Sequence, residues 1–202
     1  MHAYLDHAPR GRDHSAGDPD AGPGPANRSG LLGSADFSQL AGSAEVRLTL
    51  WDTAASANAF LAERAAMTAL PGEIYEVTEN RAGPAAAQAP AYARLMYFDG
   101  PRAPEQVAAG DLAGRQRIRP AIRGLDGLVG TCVLRGPDLG SVVITLATSV
   151  PALDVIGRTA MSTGLLPGED PALLPGPDRI EIHHVTGYHL PAAALAASTE
   201  GH

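Results

Sequence analysis

The strongest constraint on this chain is a strand-then-helix unit that occurs twice. In Ala44 to Asn58, AEVRLTLWDTAASAN, the residues Val46, Leu48 and Leu50 alternate with Arg47, Thr49 and Trp51. That period belongs to a strand with one apolar face. Asp52 and Thr53 then offer helix N-caps ahead of an Ala-rich run. The unit returns as Ser141 to Asp154, SVVITLATSVPALD. GLLGSADF from Gly30 matches GLVGTCVL from Gly127, YEV from Tyr75 matches IEI from Ile180, and PANR before Gly30 echoes PAIR before Gly127. Such internal similarity is the mark of a duplicated supersecondary unit.

Taken in order, the chain predicts strands over Gly30 to Gln39, Ala44 to Trp51 and Ile74 to Thr78, with a helix from Thr53 to Ala69 broken by Pro71-Gly72. Phe60, Leu61 and Met67 are that helix's candidate inward residues. Strands follow at Ala91 to Phe98, Gly127 to Arg135, Ser141 to Ala147 and Asp178 to Tyr188. Helices are expected from Pro104 to Leu125, kinked or divided at Pro120, and from Pro151 to Ser162. The second half thus reads β-α-β-β-α-β, the split βαβ or ferredoxin-like order.

The domain reading follows. Residues 1–29 form a disordered or degenerate N-terminal segment, and 30–80 an incomplete first repeat of order β-β-α-β. Residues 81–90 form a linker, 91–190 a complete second ferredoxin-like repeat, and 191–202 a C-terminal tail. The fold class is α+β. One four-stranded sheet with two helices leaves a face bare, whereas two antiparallel sheets from a tandem repeat cover each other as an intrachain α/β barrel. The worn first half needs its edge closed, either by His2 to His7 or by another chain.

Composition narrows the function classes. The 202 residues carry a formal charge of −7, which opposes non-specific binding to nucleic acid or anionic membranes. One cysteine, Cys132, excludes an intrachain disulfide. The N-terminus MHAYLDHAPRGRD has no apolar signal core, and no apolar run approaches about 18 residues. The expectation is a cytoplasmic protein, a monomeric pseudo-dimer or a homodimer, with a small hydrophobic aromatic partner.

PAIRGLDGLVG, Pro120 to Gly130, together with TLWDTAASANAF in the first half and ITLATS in the second, resembles the antibiotic biosynthesis monooxygenase family. The resemblance implies a dimeric α/β barrel of ferredoxin-like units. Its members include oxygenases that need no cofactor and act on polycyclic aromatic polyketides, and haem-degrading oxygenases. The haem branch needs a histidine on the helix after TLW, and Thr53 to Ala69 has none. The resemblance therefore implies a cofactor-independent monooxygenase acting on an anthrone or phenol. A non-catalytic small-molecule-binding or scaffold protein of the same fold is the alternative, and a haem-binding or haem-degrading oxygenase is a third, less favoured reading.

In that family a tryptophan at the position of Trp51 lines the cavity between helix and sheet; in the second half Ala147 stands there. Trp51 is thus a pocket wall or a core filler. If Val46, Leu48 and Leu50 pack on the helices, Arg47, Thr49 and Trp51 face the opposing sheet, and Arg47 becomes an anion partner. Asn58, Tyr75, Tyr92 and Tyr97 are candidate polar contacts to an oxygenated ring. His183 and His184 point to opposite faces of one strand, and no spacing with Glu181 or His189 matches a metal signature. His184 shares a face with Ile180 and Ile182 and is the candidate base. Cys132 reads as a small buried hydrophobe.

Overall fold

The computed structural model describes residues 1–9, 28–67 and 73–191. Among them the chain runs β1 (His2–Pro9), β2 (Leu31–Gln39), β3 (Ala44–Trp51), α1 (Ala54–Met67) and β4 (Glu73–Ala82). It continues through β5 (Tyr92–Phe98), α2 (Pro104–Ala113), α3 (Arg119–Ile122), β6 (Leu128–Arg135), β7 (Ser141–Ala147), α4 (Val150–Ser162) and β8 (Arg179–Tyr188). A five-residue π turn, Gly114–Ile118, joins α2 to α3. Its cause is Pro120, which lacks an N–H and crowds the preceding turn. The ladder adjusts there, with Arg119 N donating to Gly114 O.

All strand pairs are antiparallel, and they close into one barrel of order β1-β3-β2-β8-β5-β7-β6-β4. The expected two sheets are therefore one, joined at the seams β2–β8 and β4–β6. The first strand of the early half is β1, which pairs with β3 along its length and with β4 at its start. It supplies the edge closure asked of His2 to His7. Residues 10–27, expected to lack structure, lie outside the described residues. So do the helix break at Pro71-Gly72 and the tail beyond Pro191. The stretch expected as a linker is tied to the barrel. Arg81 and Ala82 end β4, and the N–H groups of Gly83 and Ala85 donate to Val129 O and Leu128 O at 2.8 and 2.9 Å.

The register of one half reappears in the other. His2 pairs with Trp51 and Glu76, and Tyr92 pairs with Ala147 and His184. Val77 N donates to Met1 O, and Val185 N to Ala91 O. β2 and β6 each carry a bulge after their first residue, at Leu31/Gly33 and Leu128/Gly130. Thr53 Oγ1 accepts from Ser56 N, and Ser149 Oγ from Ala152 N, so α1 and α4 are capped alike. This pairing corrects the alignment of YEV with IEI: Tyr75 corresponds to His183, and Glu73 to Glu181.

The strand faces are also the reverse of the expectation. Val46, Leu48 and Leu50 fill the barrel with Leu5, Leu95 and Ile144. Thr49 and Trp51 face outward beneath α1, where Trp51 packs with Tyr4, Ala57 and Phe60. A second outer cluster, around Ile122, Leu128, Leu153 and Ile156, lies under α3 and α4.

Gly30 and Gly127 make the turns into β2 and β6 at φ +84° and +76°, a region that penalises a Cβ. A Cβ on Gly127 would stand 2.7 Å from Ala152 Cβ and 2.9 Å from Thr148 Oγ1. Gly127→Ala should therefore cost about 1–3 kcal/mol. Chemical denaturation that showed no loss would remove this account of the turn.

Candidate functional site

β1, β4, β5 and β8 bring their polar inward residues to one end of the barrel. β1 delivers His7 there, β4 delivers Tyr75, β5 delivers Tyr97, and β8 delivers Glu181 and His183. Most of the remaining lumen is apolar, with Ala3, Leu50, Val129 and Leu146 among its residues. Burial deepens inward from the mouth. Arg179 stands at the rim with half its side chain in solvent, Tyr97 and Glu181 are buried beneath it, and His183 is 0% exposed.

Glu181 is the hub. Tyr97 Oη donates to its Oε2 at 3.2 Å, His183 Nε2 lies 3.1 Å from the same oxygen, and Arg179 Nη1 lies 3.2 Å from Oε1. The Arg179 guanidinium also sits 3.8 Å from the centroid of the Tyr97 ring. Phe37 presents its ring edgewise to His183 at 6.2 Å, and His7 stands 5.9 Å from the Tyr97 ring. A carboxylate only accepts, so Nε2 of His183 carries the hydrogen and Nδ1 carries the lone pair. That Nδ1 is buried with no hydrogen-bond partner.

The electrostatics follow from burial. Desolvation lowers the His183 pKa, against the opposing pull of Glu181. Burial, and then the Arg179 charge, lower that of His7. Burial, with Glu181 next, pushes the Tyr97 phenol far up, so it stays a donor. Burial raises the Cys132 thiol to about 12, in keeping with a small buried hydrophobe.

The residues singled out by sequence divide between faces. Tyr75 and Tyr97 are inward. Tyr75 Oη donates to Glu73 at 2.7 Å, the counterpart of the His183–Glu181 contact. Trp51 is a core residue, 2% exposed, its Nε1 donating to Thr49 Oγ1 at 3.1 Å and its ring 5.1 Å from Phe60. Arg47 is outside the barrel, its Nε 2.6 Å from Asp36 Oδ1. Asn58 is on the solvent side of α1 and bonds Ala54 O at 2.8 Å. His184 is exposed on the outer face, against Tyr92 at 5.4 Å. β8 turns Glu181 and His183 inward and leaves Ile180 55% exposed. The polar members Glu181 and His183 were the better guide to the lumen than the isoleucines beside them. Among the described residues no group of three or more His, Cys, Asp or Glu is placed to hold a metal. No helix among them is long and apolar enough to cross a membrane.

No family model matches the chain, and no curated protein matches it in sequence. Solved structures do. An anthrone oxidase-like protein aligns over 97% of this chain and 95% of its own, with TM-score 0.61 and 15% identity. A ferredoxin-fold protein of Listeria monocytogenes related to antibiotic biosynthesis monooxygenases aligns over 94% of both chains, at 0.54 and 10%. The chain has the fold of the antibiotic biosynthesis monooxygenase-like α/β barrels. A major regulator of staphylococcal pathogenesis has this fold too, at 0.59 and 11% over 93% of this chain and 100% of its own. Function in such barrels therefore belongs to the site.

The depressed pKa of His183 makes the fold acid-sensitive. The unfolded chain takes this proton near 6.5, and the folded chain only at lower pH. Its contribution is whole above 6.5 and is lost as pH falls toward the folded value. Between about pH 7 and pH 5, Tm should fall less steeply in His183→Gln than in the parent protein. Equal slopes would mean that His183 is not held neutral.

Proposed function

We propose that the protein is a monooxygenase-like enzyme for a small anthrone- or phenol-type molecule, working without metal or flavin at the polar end of its barrel. Nδ1 of His183 carries the reading. It is a buried lone pair with no protein donor, on a ring whose other nitrogen is held by Glu181. That is the arrangement of a general base with an orienting carboxylate. His183 takes the role that sequence offered to His184. The common fold with an anthrone oxidase-like protein supports the reaction class.

The chemistry balances as follows. His183 takes a proton from the ring CH2 beside the aromatic system, and the resulting anion reduces dioxygen. One oxygen atom stays on that carbon as a new carbonyl and the other leaves as water, so CH2 and O2 become C=O and H2O. Tyr97 and the Arg179 guanidinium supply donors for negative charge developing on oxygen. Both barrel seams lie within one chain, which supports a monomeric pseudo-dimer. The repeated register supports descent of the two halves from one duplicated unit, with a first unit at 30–80 completed by β1 and a second at 91–190.

Oxygen uptake with anthrone tests the reading. Uptake above buffer is expected, and His183→Gln should lose about a hundredfold or more, the range of a general base. Trp51→Phe should keep the rate, since Trp51 packs under α1. Absence of turnover sinks the enzymatic reading. A second reading, a binding or scaffold protein, draws on the filled cluster of Tyr4, Trp51 and Phe60 beneath α1. Saturable anthrone binding without turnover selects it.

A further inference from the structure

Two groups that can carry positive charge meet at the barrel mouth, both against the ring of Tyr97. The Arg179 guanidinium sits 3.8 Å from the ring centroid, and the His7 ring lies 5.9 Å from it. Both reach solvent: half of the Arg179 side chain is accessible, and His7 is exposed. The repeated register makes His7 the counterpart of Tyr97, since His2 corresponds to Tyr92. Glu73 and Tyr75 correspond to Glu181 and His183. Each half thus brings one histidine, one tyrosine and one glutamate to the mouth, with histidine and tyrosine exchanged. Arg179 breaks the pattern. At the matching place in sequence, two residues ahead of Glu73, stands Pro71.

Glu181 does not use up this added cation. Its Oε2 already has Tyr97 Oη and His183 Nε2 within hydrogen-bond distance, and Arg179 approaches Oε1 with Nη1 at 3.2 Å. Among the described residues the guanidinium has no other polar partner. Its five N–H donors lie in one plane, so a single contact with Glu181 leaves most of them to solvent. Arg179 is also close enough to His7 to oppose its protonation, second only to burial. Two adjacent positive charges repel, and an anion set against both removes that repulsion. The groups that face His7 are Tyr97 on β5, Arg179, Glu181 and His183 on β8, and Asp6 on its own strand. Glu73 on β4 pairs with Leu5, two residues away, and Val46 on β3 is apolar.

We infer that the barrel mouth anchors the carboxylate of an aromatic acid, held at the rim by Arg179 and His7. This rests on the reading above, in which a fused aromatic substrate reacts at His183, and it narrows that substrate to one with an acid group away from the reacting CH2. The planar fork of a guanidinium meets a carboxylate with two parallel hydrogen bonds, and stacking on Tyr97 holds that fork in place. Nη1 stays beside Glu181, so anchoring and reaction draw on different N–H groups. Glu181 and Glu73 stand at the same mouth, which suits it to a monoanion better than to a phosphate dianion.

Anthraquinone-2-carboxylate is the probe, with 2-(hydroxymethyl)anthraquinone as its neutral counterpart. Both already carry the ring carbonyls, so binding is read without turnover. In calorimetric titrations of the full chain the acid should bind about tenfold or more tightly than the alcohol. Arg179→Gln should remove that difference by weakening the acid alone, and Arg179→Lys, which keeps the charge without the fork, should restore part of it. Arg158→Gln, on the exposed side of α4, should change neither affinity. Acid binding should tighten from about pH 7.5 to about pH 6 with uptake of protons, and His7→Gln should flatten both effects. The inference is overturned if the alcohol binds as tightly as the acid, if neither binds, or if Arg179→Gln keeps the acid's affinity. Proton uptake that persists in His7→Gln equally overturns it, since His7 is then no part of the anchor. Oxygen uptake from neutral anthrone, without a preference for the acid in binding, would sink this inference and leave the barrel-end reading standing. A clear preference for the acid without turnover would do the reverse.

Discussion

Everything in this molecule depends on two strand seams, β2 with β8 and β4 with β6. Each half alone is a sheet of order β4-β1-β3-β2 or β8-β5-β7-β6, with two unpaired edges and one uncovered apolar face. An open edge presents a row of unsatisfied N–H and C=O groups. Pairing each half's outer strands with those of the other satisfies both edges and turns the two apolar faces on one another. Val46, Leu48 and Leu50 then meet Leu95, Ile144 and Leu146 inside a closed wall. The helices are left to cover the outside.

Closure also gathers the polar residues. β1 and β5 run the same way around the wall, as do β4 and β8, so the ends of all four bring their inward polar groups to one mouth. His7, Tyr75, Tyr97, Glu181 and His183 are far apart in sequence and become neighbours only in the barrel. Glu181 holds the group together by meeting a phenol, an imidazole and a guanidinium at once. A buried carboxylate is tolerable on those terms, because each oxygen has a donor or a cation. The cost left over is the lone nitrogen of His183. Such a residue of unmet hydrogen bonding is what a ligand-binding or reacting site retains.

The two halves share a hydrogen-bond frame and differ in what fills it. Beneath α1 the aromatic cluster around Trp51 is closed, with Trp51 Nε1 satisfied by its own strand at Thr49. Beneath α4 the positions that match Tyr4 and Trp51 hold Arg94, whose Nη1 donates to Leu153 O on the helix, and Ala147. The tryptophan that most attracts attention in the sequence is therefore the residue that seals its half. Ala147, which reads as a loss, stands in the half where the helix–sheet contact carries a charge.

Sequence alone determined the order and kind of most elements from Gly30 onward, the capped entry to α1, the proline at the start of α4, and the barrel class. These are local properties: alternation, cap chemistry and backbone freedom act over a few residues. It did not reveal which face of a strand is inward. Both faces are buried here, one by the barrel and one by the helices, and a period of two looks the same from either side. Arg47, Thr49 and Trp51 thus read as inward and lie outside, and alternation points to His184 where His183 is the buried one. Only the tertiary structure decided that, because the inward face is set by pairing between strands distant in sequence, and no local pattern records where the barrel closes.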